Sequence, residues 1–202
     1  MDIKILDASR IKWKCVHHSG GTLYDRYAKT QHLKAEQVNK YHKDKWNFKS
    51  SLGFYGGYNF FIDKEGIITQ FRAIGEETAA QKGHNSDSVS YCLAGNFNIK
   101  GVNGIEQPNR KQIESLAFLL EQEPHIQQSS IVPHWVLQPT ECYGASLSAD
   151  WARSLLKKDS KNYRIFLLTT IRNLLQKLVA LMLAKSKLGA IKRDCHFTDV
   201  RN

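Results

Sequence analysis

The chain reads as an α/β protein: a mixed central β-sheet flanked by α-helices, followed by a C-terminal amphipathic helix. Three observations lead there. Short apolar, strand-like runs alternate with helical stretches as far as residue 159. One pair of runs is separated only by Asp63-Lys64-Glu65-Gly66, a hairpin turn. Beyond residue 160 the pattern changes to leucines recurring every three or four residues on a basic background. The organisation expected is a domain over 1–159 and a basic helical extension over 160–202.

The elements follow in order. Residues 13–18 read as a strand stopped by Ser19-Gly20-Gly21, and 31–46 as a helix burying Leu33, Val38, Tyr41 and Trp46. Gly53 to Gly57 is rich in turn residues, and 58–62 and 67–71 are the arms of the hairpin. Residues 88–95 read as a buried central strand. Residues 108–123 form a helix with Ile113, Leu116, Ala117 and Leu120 on its inner face. A short strand at 130–132 delivers His134, and a helix over 147–156 closes the domain. No internal repeat is evident.

The net charge of the 202 residues is +10, which favours anionic partners. Residues 1–159 hold 20 basic and 17 acidic side chains, whereas 160–193 hold eight basic and none acidic. The basic character therefore belongs to the extension. There Leu168, Ile171, Leu175, Leu178 and Met182 form a wide apolar stripe interrupted by Arg172 and Lys177. The stretch is near spanning length, but internal charges are expensive at a bilayer centre. Two readings stay open: a helix lying on an anionic membrane surface, with Arg172, Lys177, Lys185 and Lys187 as contacts, or one packed on protein. The leucine content and the scarcity of aromatics weigh against a nucleic-acid role, and no specific nucleic-acid partner is expected.

The four cysteines are far apart and include no C-x-x-C pair, so a disulfide framework is not expected. The first residues carry acids and lack a long apolar run, unlike a secretory signal. Synthesis in a cytoplasm is expected, with release needed to reach any outside substrate. Singly, the polar candidates have ordinary readings. His32, His42 and His125 suit the surface, and Cys15 and Cys92 the core. Cys195 and His196 adjoin in the extension without visible partners. A lone His at a strand end is more often structural than a ligand.

Four pieces alter this balance by occurring together. Val16-His17-His18-Ser19, Gly57-Tyr58-Asn59-Phe60-Phe61-Ile62, Cys92-Leu93-Ala94-Gly95-Asn96-Phe97 and the stretch from His134 through Thr140-Glu141-Cys142 stand in the order and spacing of one family. Lys82-Gly83-His84-Asn85 is a smaller echo. Over residues 11–156 the chain resembles the zinc N-acetylmuramoyl-L-alanine amidases that include the T-odd phage lysozymes and the peptidoglycan recognition proteins.

The resemblance implies one zinc ion on His17, His134 and Cys142, two imidazoles and a thiolate that leave a tetrahedral metal one open position. It implies catalytic roles for Tyr58 and Thr140. Thr140 stands where the phage enzymes have Lys and catalytic recognition proteins have Thr. His18, on the opposite side of the strand from His17, is structural or lines the groove, and His84 and Asn85 are candidate substrate contacts. Tyr143 replaces the family's usual Pro, and Ala80 lies near a position that is His in some phage members.

The function implied is an endolysin-like peptidoglycan hydrolase of phage or prophage origin. It would cleave between N-acetylmuramic acid and L-alanine with a zinc-activated water, acting on the wall after release. The extension would then help it reach anionic membrane or lipopolysaccharide. The alternatives are a cytoplasmic amidase recycling muropeptides and a non-catalytic peptidoglycan-binding or regulatory module. Retention of all three ligands argues against the last.

Overall fold

The computed structural model describes residues 2–22, 24–98, 106–122, 127 and 130–158. The expected amphipathic helix with Arg172, Lys177, Lys185 and Lys187 lies outside these residues, as do His125, Cys195 and His196. The elements run β1 (Trp13–His18), α1 (Ala35–Trp46), β2 (Phe60–Ile62), β3 (Ile68–Gln70), β4 (Ser88–Leu93), α2 (Arg110–Glu121), β5 (Ile131–Pro133), α3 (His134–Leu137) and α4 (Trp151–Lys158). None of the described helices is long and apolar enough to cross a membrane.

The five strands form one sheet in the order β3-β2-β4-β1-β5. The β2–β3 hairpin is antiparallel and every other pairing is parallel. Within the hairpin turn, Asp63 Oδ1 accepts the N–H groups of Glu65 and Ile67, both at 2.9 Å, and Gly66 adopts φ 78°. This is the left-handed conformation that glycine takes without steric penalty.

Strand alternation divides the interior in two. Val16 of β1 and Val89, Tyr91 and Leu93 of β4 join Phe60, Phe97 and Leu116, Leu119 and Leu120 of α2 in the larger core. Phe61, Phe71, Cys92 and Ala94 meet Val38 of α1 in the smaller core. β4 lies between two strands and is buried along its whole length. Lys14 of β1 is also buried, and its ammonium donates to the carbonyl of Leu120 near the C-terminus of α2. A cation is favoured there by the helix dipole.

The helices differ in phase from the sequence pattern. α1 begins at Ala35 rather than residue 31, and Asn47 caps its C-terminus with φ 50°. Its buried positions are Val38 and His42, one turn apart, while Tyr41 and Trp46 are 38% and 43% exposed. His42 is therefore not a surface residue. Its Nδ1 accepts the N–H of Gly57 at 3.0 Å and its ring stacks on Trp46. In α2, Asn109 caps the helix by accepting from the N–H of Gln112. Gln112 is itself buried and donates to the carbonyl of Ala94 at 2.8 Å, terminating β4. Leu119 takes a core position, whereas Ile113 and Ala117 are half-buried. α4 begins at Trp151, four residues later than the pattern suggests.

Candidate metal centre and active site

His17, the penultimate residue of β1, has a buried side chain that points to the α1 side of the sheet. β5 pairs with β1 so that Val16 lies opposite Pro133. The next residue along each chain segment is a histidine, His17 in β1 and His134 at the start of α3, and their rings lie 4.4 Å apart, inclined by 51°. Past α3 the chain folds back, held by a hydrogen bond from Trp135 N–H to the carbonyl of Cys142 at 2.9 Å. Cys142 Sγ thereby lies 3.7 Å from His17 Nδ1 and accepts the N–H of His18 at 3.4 Å. One ligand atom from each of His17, His134 and Cys142 falls within 4.8 Å of the others.

The electrostatics suit a cation. Burial, and then His134, hold His17 well below the usual imidazole range. Burial lowers His134 to about 4, with Gln138 acting in the opposite direction. Burial pushes the Cys142 thiol up to about 12, with the His18 N–H opposing. Both imidazoles are thus neutral with lone pairs available. Neither buried ring nitrogen of His134 has a hydrogen-bond partner of good geometry. A buried, unsatisfied polar group is unfavourable unless something else completes it. Two imidazoles and a thiol converging on one point, with His134 lacking a hydrogen bond of good geometry, fit a zinc ion of open tetrahedral coordination.

The Tyr58 ring is half-buried, 5.3 Å from the His17 ring and 5.5 Å from that of His42. Burial, with the thiols of Cys92 and Cys142 nearby, raises its hydroxyl well above the usual phenol range. It is therefore a proton donor at neutral pH. Thr140 is exposed and its Oγ1 accepts the N–H of Cys142 at 3.3 Å, steadying the ligand loop. It also lines a cavity of about 720 Å³ with Arg26, Tyr27, Trp135 and Glu141. That cavity adjoins the Cys142 loop, but its lining includes none of the three candidate ligands.

The remaining site candidates are engaged elsewhere. His18 is buried on the opposite face of β1, its Nδ1 accepting the N–H of Phe97 at 3.0 Å. This is a packing contact rather than an open groove contact. His84 Nδ1 pairs with Asp87 at 3.1 Å. Asn85 Oδ1 accepts from the N–H groups of Ala80 and Gln81 and from the Thr78 hydroxyl, bracing a tight loop. Tyr143 is buried, donates to the carbonyl of Ser148 at 2.6 Å and packs against Trp151.

Sequence reasoning missed Gln81. It is fully buried, and its Oε1 lies 3.1 Å from His17 Nε2. A polar residue in a loop has no periodicity to mark it.

Residues 7–145 match the family model described as N-acetylmuramoyl-L-alanine amidase. The chain belongs to this amidase family. Solved structures show the same fold at low identity. The amidase LysC from Clostridium intestinale superposes with a TM-score of 0.54 at 20% identity, covering 79% of this chain and 99% of that one. The Ph2119 endolysin of a Thermus scotoductus bacteriophage gives 0.54 at 18%, covering 72% and 84%. The bumblebee peptidoglycan recognition protein SA gives 0.54 at 20%, covering 80% and 90%. No curated protein sequence matches significantly. Within this amidase-family chain, the matched region contains β1 through the Cys142 loop, so it holds all three candidate ligands.

Proposed function

We propose that this amidase-family protein is a zinc hydrolase that cuts peptidoglycan between N-acetylmuramic acid and L-alanine. The observation that carries the reading is the convergence of His17, His134 and Cys142, with neither His134 ring nitrogen in a hydrogen bond of good geometry. Similar solved structures support the substrate class. They include LysC and LysCS, named as N-acetylmuramoyl-L-alanine amidases, and recognition proteins LCa and LCx bound to tracheal cytotoxin. The likeness to Ph2119 supports an endolysin role.

Hydrolysis adds water oxygen to the lactyl carbonyl carbon, breaks the C–N bond and delivers a proton to the departing L-alanine nitrogen. Zinc, when bound, supplies Lewis acidity and lowers the pKa of a coordinated water to about 7. His17, His134 and Cys142 would hold it. Tyr58, kept protonated by its surroundings, donates a hydrogen bond to the developing oxyanion or a proton to the leaving nitrogen. Thr140, on the loop rim, orients the carbonyl and fixes the approach of Cys142.

The test pairs metal content with product. The full chain is expected to carry about one zinc and to release stem peptides with new L-alanine amino termini from purified peptidoglycan, both lost in Cys142→Ala. A metal-free chain that binds wall material without cutting it would establish a recognition module instead.

A further inference from the structure

We infer that Gln81 is a positioning residue for the metal centre: its side-chain carbonyl keeps the His17 proton on Nε2 and so presents Nδ1 as the metal-binding nitrogen. The inference rests on the zinc reading above for the identity of what His17 faces, but the proton assignment follows from the hydrogen bonds alone.

The direction of the Gln81 amide is determined by its neighbours. Its nitrogen lies 3.3 Å from the carbonyl oxygen of His84, which can only accept. The same nitrogen reaches the hydroxyls of Thr78, at 3.1 Å, and Ser88. Ser88 Oγ donates to the His84 carbonyl, so it can only accept from Gln81. Reversing the amide would press its oxygen against the His84 carbonyl and forfeit these bonds. Oε1 must therefore face His17, and it also accepts the Ser90 hydroxyl at 2.7 Å.

An amide oxygen has no proton to give. The 3.1 Å contact with His17 Nε2 is consequently an N–H···O bond from the imidazole. With the proton there, the lone pair of the neutral ring is on Nδ1, the nitrogen 3.7 Å from Cys142 Sγ. The backbone is braced as well, since the N–H of Gln81 donates to Asn85 Oδ1 at 2.9 Å. Outer partners of this kind fix the tautomer and ring orientation of a ligating histidine. They also explain why a buried Gln sits opposite β1 and β4: Ser90, Cys92 and His17 point to that side of the sheet, and Gln81 closes the polar part of it.

The experiment uses the full chain with ¹⁵N-labelled histidine, read by long-range ¹H–¹⁵N correlation with zinc and after chelation. His17 is expected as the Nε2–H tautomer in both states; an Nδ1–H ring in either overturns the inference. A wild-type chain that takes up no zinc would defeat the zinc reading while leaving the tautomer readout decisive for Gln81. Zinc affinity is then compared by chelator competition in the wild type and in Gln81→Met, which lacks an acceptor and should bind zinc about 10- to 100-fold more weakly. A folded Gln81→Met chain with wild-type affinity also overturns the inference; if that variant does not fold, the wild-type tautomer decides.

Discussion

The backbone N–H of His18 points at the sulfur of Cys142, 3.4 Å away, so the end of β1 places one candidate ligand by a side chain and supports another by the next amide. That amide opposes burial, yet the thiol stays raised to about 12 and is protonated at neutral pH. His134, lowered to about 4, and His17, also lowered, are already neutral there. Near pH 5.5, below the pKa of about 7 of a zinc-bound water, zinc uptake by the metal-free chain should therefore release about one proton, all of it from Cys142, where ordinary histidines would add to it. Titration with zinc in a weakly buffered indicator solution measures it, and Cys142→Ala should release none.

Tyr58 lies between His17 and His42 and has a hydroxyl that does not ionise near neutrality. Tyr58→Phe retains the ring and should leave zinc content unchanged. The rate of amide cleavage should fall about 100-fold or more, as for loss of a proton or oxyanion donor. Unaltered turnover in the zinc-loaded variant would remove Tyr58 from the chemistry.

His42 gives the zinc-free fold an acid sensitivity. Desolvation, then Lys45 and Arg72, lower it from 6.5 to about 4. Its folded pKa is depressed, so the unfolded chain binds more protons between those values. The stabilisation is complete above about 6.5 and is lost as pH falls toward 4. By linkage the change is about 3 kcal/mol at most. His42→Asn keeps an acceptor for the Gly57 N–H but has no titrating ring. Urea melts across this range should show a shallower acid loss for the variant than for the wild type.

Gly144 follows the Cys142 loop with φ 96°, and a Cβ there would lie 2.4 Å from the Phe97 carbonyl. Gly144→Ala should lower unfolding free energy by about 2 kcal/mol or more, through strain and displacement of the adjoining chain. Chemical denaturation would measure this, and zinc affinity should drop with it because the ligand loop moves.

The basic stretch 160–193 invites a separate test on anionic vesicles. The surface-helix proposal expects the full chain to co-sediment and a chain shortened to 1–159 to stay in solution; failure of the full chain to bind disposes of it.

The strand framework was legible in the sequence because apolar runs and turns are local signals. β1 carries its expected bounds, and β4 is the buried central strand its composition suggests. Helix phase was less legible, since His42 and Gln112 are buried through specific hydrogen bonds that a hydrophobic pattern does not register. His17, His134 and Cys142 came from family resemblance rather than spacing, and the fold brings them together through β1–β5 pairing. Gln81 escaped notice because its partners lie on β1, on β4 and in its own loop. His84 and Asn85, farther along the same loop, drew attention as substrate contacts, and their hydrogen bonds run to Asp87, to Thr78 and to the loop backbone.

His17 and Cys142 are 125 positions apart along the chain. A metal ion joining them is, in polymer terms, a clasp between the first strand and the last loop of the domain. Closing so long a loop ahead of folding is entropically disfavoured, by roughly 4 to 5 kcal/mol for a cross-link of this span. An ion held by this ligand set would favour the state in which β5 is docked beside β1, and a growing chain lacking residues 134 to 142 has no such set. Under the zinc reading, metal uptake would then report completed folding, and chelation would loosen the ends of the domain along with its chemistry.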